Sequence, residues 1–202
     1  MSRRSITGHM AWVALAVTLL CSCGAAPKEK DQTVERPRMN MQEAGDRDER
    51  LLDESINAVT PQVKWKRYSS NEVACSTGVN EPTGTANVKR SRVITTKISE
   101  QRRGAFLGLI ERHWKKNGYT LTGADADPEM PSLFAKTPDS FAISVEFGYK
   151  GAAYFTITSP CAAESSLTFP AGTPGKPDGP EEKPDPTPSH ESDYWSSAGP
   201  DE

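Results

Sequence analysis

The chain has 202 residues, with 24 Lys and Arg against 27 Asp and Glu, a net charge of −3, and 35% hydrophobic residues. That length holds one ordinary domain with tails rather than several domains, and we expect no nucleic-acid partner. Three histidines, His9 near the start, His190 near the end and His113 between them, leave a Ser-His-Asp hydrolase or a multi-imidazole zinc site dependent on His113 alone.

The first element in chain order has the three parts of an export signal: Arg3 and Arg4, an apolar run from Met10 to Leu20, and small Ser22. The run is too short to span a bilayer, which takes about 20 apolar residues. Leu20-Cys21-Ser22-Cys23 has the form of a lipoprotein processing box: a hydrophobic residue, two further residues and the cysteine that receives a diacylglyceryl group. We therefore expect residues 1–22 to be a signal peptide cut between Ser22 and Cys23, with Cys23 lipidated. An ordinary secretory signal cut at a neighbouring small residue is the other reading. Ser2-Arg3-Arg4-Ser5-Ile6 partly resembles the twin-arginine motif but lacks the aromatic and basic positions after the pair. Residues 23–40 are polar and charged, with Pro27 and Pro37, and read as a flexible tether reaching roughly 20–25 Å.

The remaining cysteines follow from that assignment. Cys21 leaves with the signal, so Cys75 and Cys161 remain in an oxidising compartment and are expected to form a disulfide. Closing so long a loop is worth roughly 4 kcal/mol on the chain-entropy argument. Two separate buried thiols would satisfy the same count.

The folded part is expected over residues 41–168. A first helix is predicted from Asn40 or Met41 to Val59, with Leu52, Ile56 and Val59 on one face and Pro61 beyond its end; Gly45 and the charged run Asp46 to Arg50 weaken its beginning. Val63, Trp65 and Arg67 alternate with lysines and Tyr68, the pattern of a strand, and a loop carrying Cys75 follows. Val88 to Ile98 has strand composition with a slip near Val93-Ile94, read as a bulge. A second helix is expected to be capped by Ser99, shows Phe106, Leu109, Ile110, His113 and Trp114 on one face, and stops at Gly118 in the left-handed conformation. Gly104 and Gly108 within it read as close-packing positions. Tyr119 to Thr122 and Ser132 to Lys136 are further strands. In the last pair, a three-residue loop Tyr149-Lys150-Gly151 sets Phe147 opposite Ala153, Val145 opposite Phe155 and Ile143 opposite Ile157. The fold class is α+β: an antiparallel sheet of about five to six strands with two helices on one face. Residues 169–202, with half of the chain's prolines, are expected to be a disordered acidic tail.

Trp114-Lys115-Lys116-Asn117-Gly118-Tyr119, Thr137-Pro138-Asp139-Ser140-Phe141 and Ser159-Pro160-Cys161, behind the processing box, resemble small actinobacterial membrane lipoproteins of uncharacterised function. The resemblance implies a membrane-anchored, extracytoplasmic domain and carries no catalytic residues over. Ser140 stands where glycine is expected in the turn.

Asp125-Ala126-Asp127-Pro128-Glu129 invites a calcium reading, but Met130 and Lys136 replace the glycine and glutamate that an EF-hand loop requires. No metal, cofactor or enzyme activity is expected. Twelve basic residues face four acidic ones between Lys64 and Lys116, whereas the tail after Pro170 is acidic. Lys64, Lys66, Arg67, Lys89, Arg90 and Arg92 are the candidates for contact with an anionic lipid, wall polymer or protein partner, and Trp65, Tyr68, Tyr119 and Tyr154 for a sugar-binding surface. Tyr194-Trp195 reads as a short docking motif in the tail. The functional expectation is a lipid-anchored binding or interaction lipoprotein on the extracytoplasmic face of the bacterial cell membrane. The alternatives are a carboxylate-dependent cell-wall hydrolase and a structural envelope spacer.

Overall fold

Helix α1 (Met41–Asn57) starts where Asn40 can close a capping box: its side chain accepts from the Glu43 amide at 3.0 Å and the Glu43 carboxylate accepts from the Asn40 amide at 2.9 Å. The computed structural model describes residues 37–78 and 81–198. Strands β1 (Trp65–Thr77) and β2 (Glu81–Ile94) form a long hairpin, followed by α2 (Glu100–Lys116), β3 (Thr120–Asp125), β4 (Ser132–Lys136), β5 (Ala142–Phe147), β6 (Ala153–Thr158) and the two-residue β7 (Ala162–Ala163). The strands make one antiparallel sheet in the order β1-β2-β6-β5-β4-β3, with β7 also on β2. The α+β reading holds, with one strand beyond the expected range.

Both helices lie on one face of this sheet. Leu51, Leu52 and Ile56 of α1 and Phe106, Ile110 and Trp114 of α2 are buried with Ile143, Val145, Phe155 and Ile157 of the sheet. Trp114 Nε1 donates to Ser55 Oγ at 3.0 Å, so the bulkiest side chain of α2 satisfies its polar atom on α1. The stop of α2 is as read, with Gly118 at φ +76°. Ser99 differs: it precedes the helix, but its hydroxyl donates to the Ser197 carbonyl at 2.7 Å instead of capping α2.

The β5–β6 register is the predicted one, with Phe147 opposite Ala153, Val145 opposite Phe155 and Ile143 opposite Ile157, and Gly151 at φ +73°. The hairpin before α2 departs from expectation. Cys75 lies within β1 rather than in a loop, and the irregularities fall between Arg67 and Ser69 of β1 and where Ala74 to Ser76 face Pro82 to Ala86 of β2, rather than at Val93-Ile94. Val93 and Ile94 are both fully buried. They look alike in sequence because β2 is covered on both faces at that end, which erases alternation without any bulge. Cys75 is bonded to Cys161, joining the outer half of the hairpin to the segment between β6 and β7.

Ser140 occupies the turn before β5 at φ +73°. The turn is held by its amide on the Thr137 carbonyl at 2.9 Å and by the Phe141 amide on Thr137 Oγ1 at 2.9 Å. A side chain in that region is strained relative to glycine. Ser140→Gly is expected to raise stability by about 0.5–1 kcal/mol in denaturant unfolding; a loss would show that the serine side chain is needed.

Residues 169–198, expected to be disordered, lie against the domain. Lys176 pairs with Glu72 of β1 at 3.3 Å, and the Lys183 ammonium lies 5.4 Å from the Tyr68 ring centre. The Ser189 and His190 amides both donate to the Thr95 carbonyl at 2.9 Å, and the Ser99 amide donates to the Trp195 carbonyl at 2.9 Å. Trp195 is completely buried; it meets Phe106 edge to face at 5.4 Å and donates through Nε1 to the Pro61 carbonyl at 2.6 Å. The docking-motif reading is corrected accordingly: this strap cannot build a core of its own, but it completes the core of the domain. Proline suits that task, because an extended chain with fixed φ loses little further entropy when it is laid along a surface.

Candidate functional site

The predicted basic set divides between the two faces of the sheet. Arg90 and Arg92 at alternate positions of β2, and Arg67 opposite Arg92 on β1, face α1. Arg92 donates to Asp53 Oδ1 at 2.5 Å and to Glu49 Oε2 at 2.8 Å, with its guanidinium 3.9 Å from the Trp65 ring centre. Arg67 donates to the same Glu49 oxygen at 2.6 Å, and Arg90 sits 3.6 Å from the other one. Arg90 further donates to Ser70 Oγ at 2.8 Å and to the Thr168 carbonyl at 3.2 Å. The side chains of Arg90 and Arg92 are 3% and 2% exposed. They are internal ion-pair partners and not contacts for an outside surface, which corrects that part of the expectation. Arg67 is half-buried in the same cluster.

Asp48 lies beside this cluster. It is wholly buried, and neither of its carboxylate oxygens has a hydrogen-bond partner. Burial pushes its pKa from 3.8 up to about 8, opposed by Arg90 and reinforced by Glu49. Burial likewise lowers the Arg90 pKa, against the pull of Glu49 and Asp48. Asp48 was legible in one respect only: Met41, Ala44, Asp48, Leu51, Leu52 and Ser55 share the buried stripe of α1, so helical spacing carries an acid and a hydroxyl onto the apolar face.

No helix among the described residues lies over the opposite face of the sheet. Lys89 and Ser91 of β2, Tyr154 and Thr156 of β6, Glu146 of β5, and Tyr68 and Ser69 of β1 line a pocket of about 230 Å³ there. Tyr68 and Tyr154 meet at 5.1 Å with their planes 61° apart. Burial and the neighbouring Tyr68 raise the Tyr154 pKa. Ser69 and Ser91 share a hydrogen bond at 2.6 Å, and Ser144 donates to Glu146 at 2.8 Å. Of the aromatic candidates, these two tyrosines converge. Trp65 instead supports Arg92 on the helix side, and Tyr119 is buried with its hydroxyl donating to Glu54 at 3.5 Å. Lys66 is exposed on β1 and interacts with Asp185 of the strap, while Lys64 is exposed just before β1.

A second concavity, of about 580 Å³, runs between the first half of α2 and the β3–β4 loop. Gly104 and Gly108 line it, and a Cβ built on Gly104 would meet nothing within 4 Å. The close-packing reading of Gly104 is therefore corrected: this glycine opens a surface rather than admitting a neighbour. Asp125 and Asp127 on the far wall accept backbone amides of their own loop at 2.8–3.0 Å, an Asx-turn arrangement. Among the described residues, no group of three or more His, Cys, Asp or Glu is placed to hold a metal ion. His113 is half-buried at the end of α2, near the side-chain amide of Asn117 at 3.4 Å, and burial lowers its pKa. Ser22 and Cys23 lie outside the described residues.

These features define an α+β domain with an antiparallel sheet, helices on one side and, on the other, a polar face that the strap partly crosses. No protein family and no curated protein matches the sequence. Among solved structures, the chain is similar to a crystal structure of a DUF4853 family protein from Actinomyces odontolyticus, with a TM-score of 0.43 and 15% identity, over 66% of this chain and 78% of that one.

Proposed function

We propose that the chain is a lipid-anchored, extracytoplasmic binding lipoprotein of the bacterial cell membrane, held through a diacylglyceryl group on Cys23 and contacting its partner with the sheet face opposite the helices. The disulfide between Cys75 and Cys161 carries the reading, because such bonds form and persist in oxidising compartments. The box ending at Cys23 and the apolar run before it agree with it. The face opposite the helices supplies polar and aromatic groups around a shallow pocket without a sealed cleft. Catalysis is not assigned to it: Asp48, the acid raised by burial, lies beneath α1 where no substrate reaches it.

Cys23→Ala is expected to move the protein from the membrane fraction to the soluble fraction and to lower the mature mass by the acyl groups, since stable anchoring takes more than one chain. An unchanged mass and continued partition into the detergent phase would remove the anchor from the proposal.

A further inference from the structure

The pocket on the open sheet face has the chemistry of a saccharide subsite, and we propose that it binds a pyranose unit bearing a carboxylate. The inference rests on the reading of the chain as an extracytoplasmic binding domain and names the ligand of that face. Its volume of about 230 Å³ falls below the ~300–1,000 Å³ of sites that enclose drug-sized ligands, which leaves room for one sugar ring whose neighbours project outward.

A pyranose presents a flat patch of C–H groups and a rim of hydroxyls. The two requirements are apolar area against the patch and convergent polar atoms around the rim. Tyr68 and Tyr154, with planes 61° apart, form a corner that offers the ring one aromatic face and one aromatic edge. Ser91 and Thr156, on the neighbouring strands β2 and β6, stand directly opposite each other. Their hydroxyls can donate or accept, and Glu146 can accept from two sugar hydroxyls at once.

Charge selects the class of sugar. Lys89 is half-buried on the pocket wall, and its ammonium makes no hydrogen bond or ion pair with any described residue. Lys183 of the strap lies over the Tyr68 ring on the other side. Lys89 and Lys183 stand beside Glu146, while Asp185, which also acts on Tyr154, is offset by Lys150 and Lys66; the remaining positive excess favours a ring with a single negative charge. Glu146 in turn disfavours a densely charged polymer drawn into the same space. A partly desolvated ammonium and a ligand carboxylate form a charge-assisted hydrogen bond stronger than a neutral one.

The test is a titration of the full-length, isotopically labelled chain in detergent micelles with a hyaluronan tetrasaccharide, in which uronate and neutral rings alternate. Neutral chitotetraose and phosphatidylglycerol nanodiscs serve as comparison ligands. Saturable shifts at Ser91, Tyr154 and Thr156 are expected with the uronate probe, roughly tenfold or more weaker with chitotetraose. Lys89→Met is expected to weaken the uronate by at least about tenfold while leaving the rest of the spectrum in place; this exposed-side substitution tests the site even if Tyr154→Ala fails to fold. Absence of saturable shifts, equal affinity for chitotetraose, or unchanged binding by Lys89→Met overturns the proposal. Shifts on this face from phosphatidylglycerol alone would overturn it in favour of a lipid surface. Loss of membrane partition concerns the anchor and leaves this titration unaffected, so the two readings fail separately.

Discussion

Trp195→Ala is expected to destabilise the folded chain by about 3–5 kcal/mol, the usual cost of truncating a fully buried Trp or Phe. The indole is completely enclosed, stacks edge to face on Phe106, and satisfies its N–H on the Pro61 carbonyl. Truncation leaves a cavity between α2 and the segment before β1, and also leaves that carbonyl without its partner. Against a total of about 5–15 kcal/mol for a typical domain, the loss is a large share. It should appear as a lower midpoint in denaturant unfolding. Early proteolysis within the strap should accompany it, because the backbone bonds from Ser189, His190 and Ser99 are held in place by the same anchor. A loss below about 1 kcal/mol would mean that Trp195 is not part of the core in solution. Trp195→Phe should recover most of the packing and none of the hydrogen bond.

The second large effect is a dependence on pH. Asp48 has a folded-state pKa of about 8 against an ordinary 3.8, so between those values the native chain binds a proton that the unfolded chain has released. The contribution of the neutral acid is complete below the lower value and is lost as pH rises through the upper one, at up to about 1.4 kcal/mol per pH unit. Asp48→Asn does not titrate. The difference in stability between variant and parent should therefore widen in favour of asparagine by several kcal/mol between roughly pH 4 and 8 and level off above. Taking that difference cancels the groups common to both proteins, including Asp139. For Asp139 the raising effect of burial is outweighed by hydrogen bonds from Thr137 and Arg47, and its pKa is lowered. A flat difference across the window would place Asp48 in contact with water.

What could be read from the chain follows how local the determining interactions are. Helix α2 carries its stripe and its glycine stop within 17 residues, and the β5–β6 hairpin carries its register in alternation around a short loop. Both are legible without knowledge of the rest of the molecule. The outer half of the β1–β2 hairpin is exposed at Asn71 to Ala74, so no burial pattern marks it as strand; the disulfide, backbone pairing and contacts from distant residues such as Lys176 hold it. Charge counting along β2 found the arginines but not their direction. Arg90 and Arg92 alternate with Lys89 and Ser91, and a period of two sends the first pair under α1 and the second onto the open face. That division separates an internal ion cluster from a candidate binding pocket, and no net charge contains it. The strap is hidden from composition for a related reason: composition measures whether a segment can build a core alone, not whether it can finish one begun elsewhere.

The anchoring of Trp195 against Pro61, 134 positions earlier, also bears on when the domain can fold. Contacts between the distant ends of a chain are slow to form, because a long loop must close before they contribute. Synthesis from the N-terminus presents α1, the sheet and α2 before the strap. Until Trp195 docks, Phe106 lacks its capping ring and the core stays open. The strap thus sets the moment of completion, and the part made before it stays loose until it arrives.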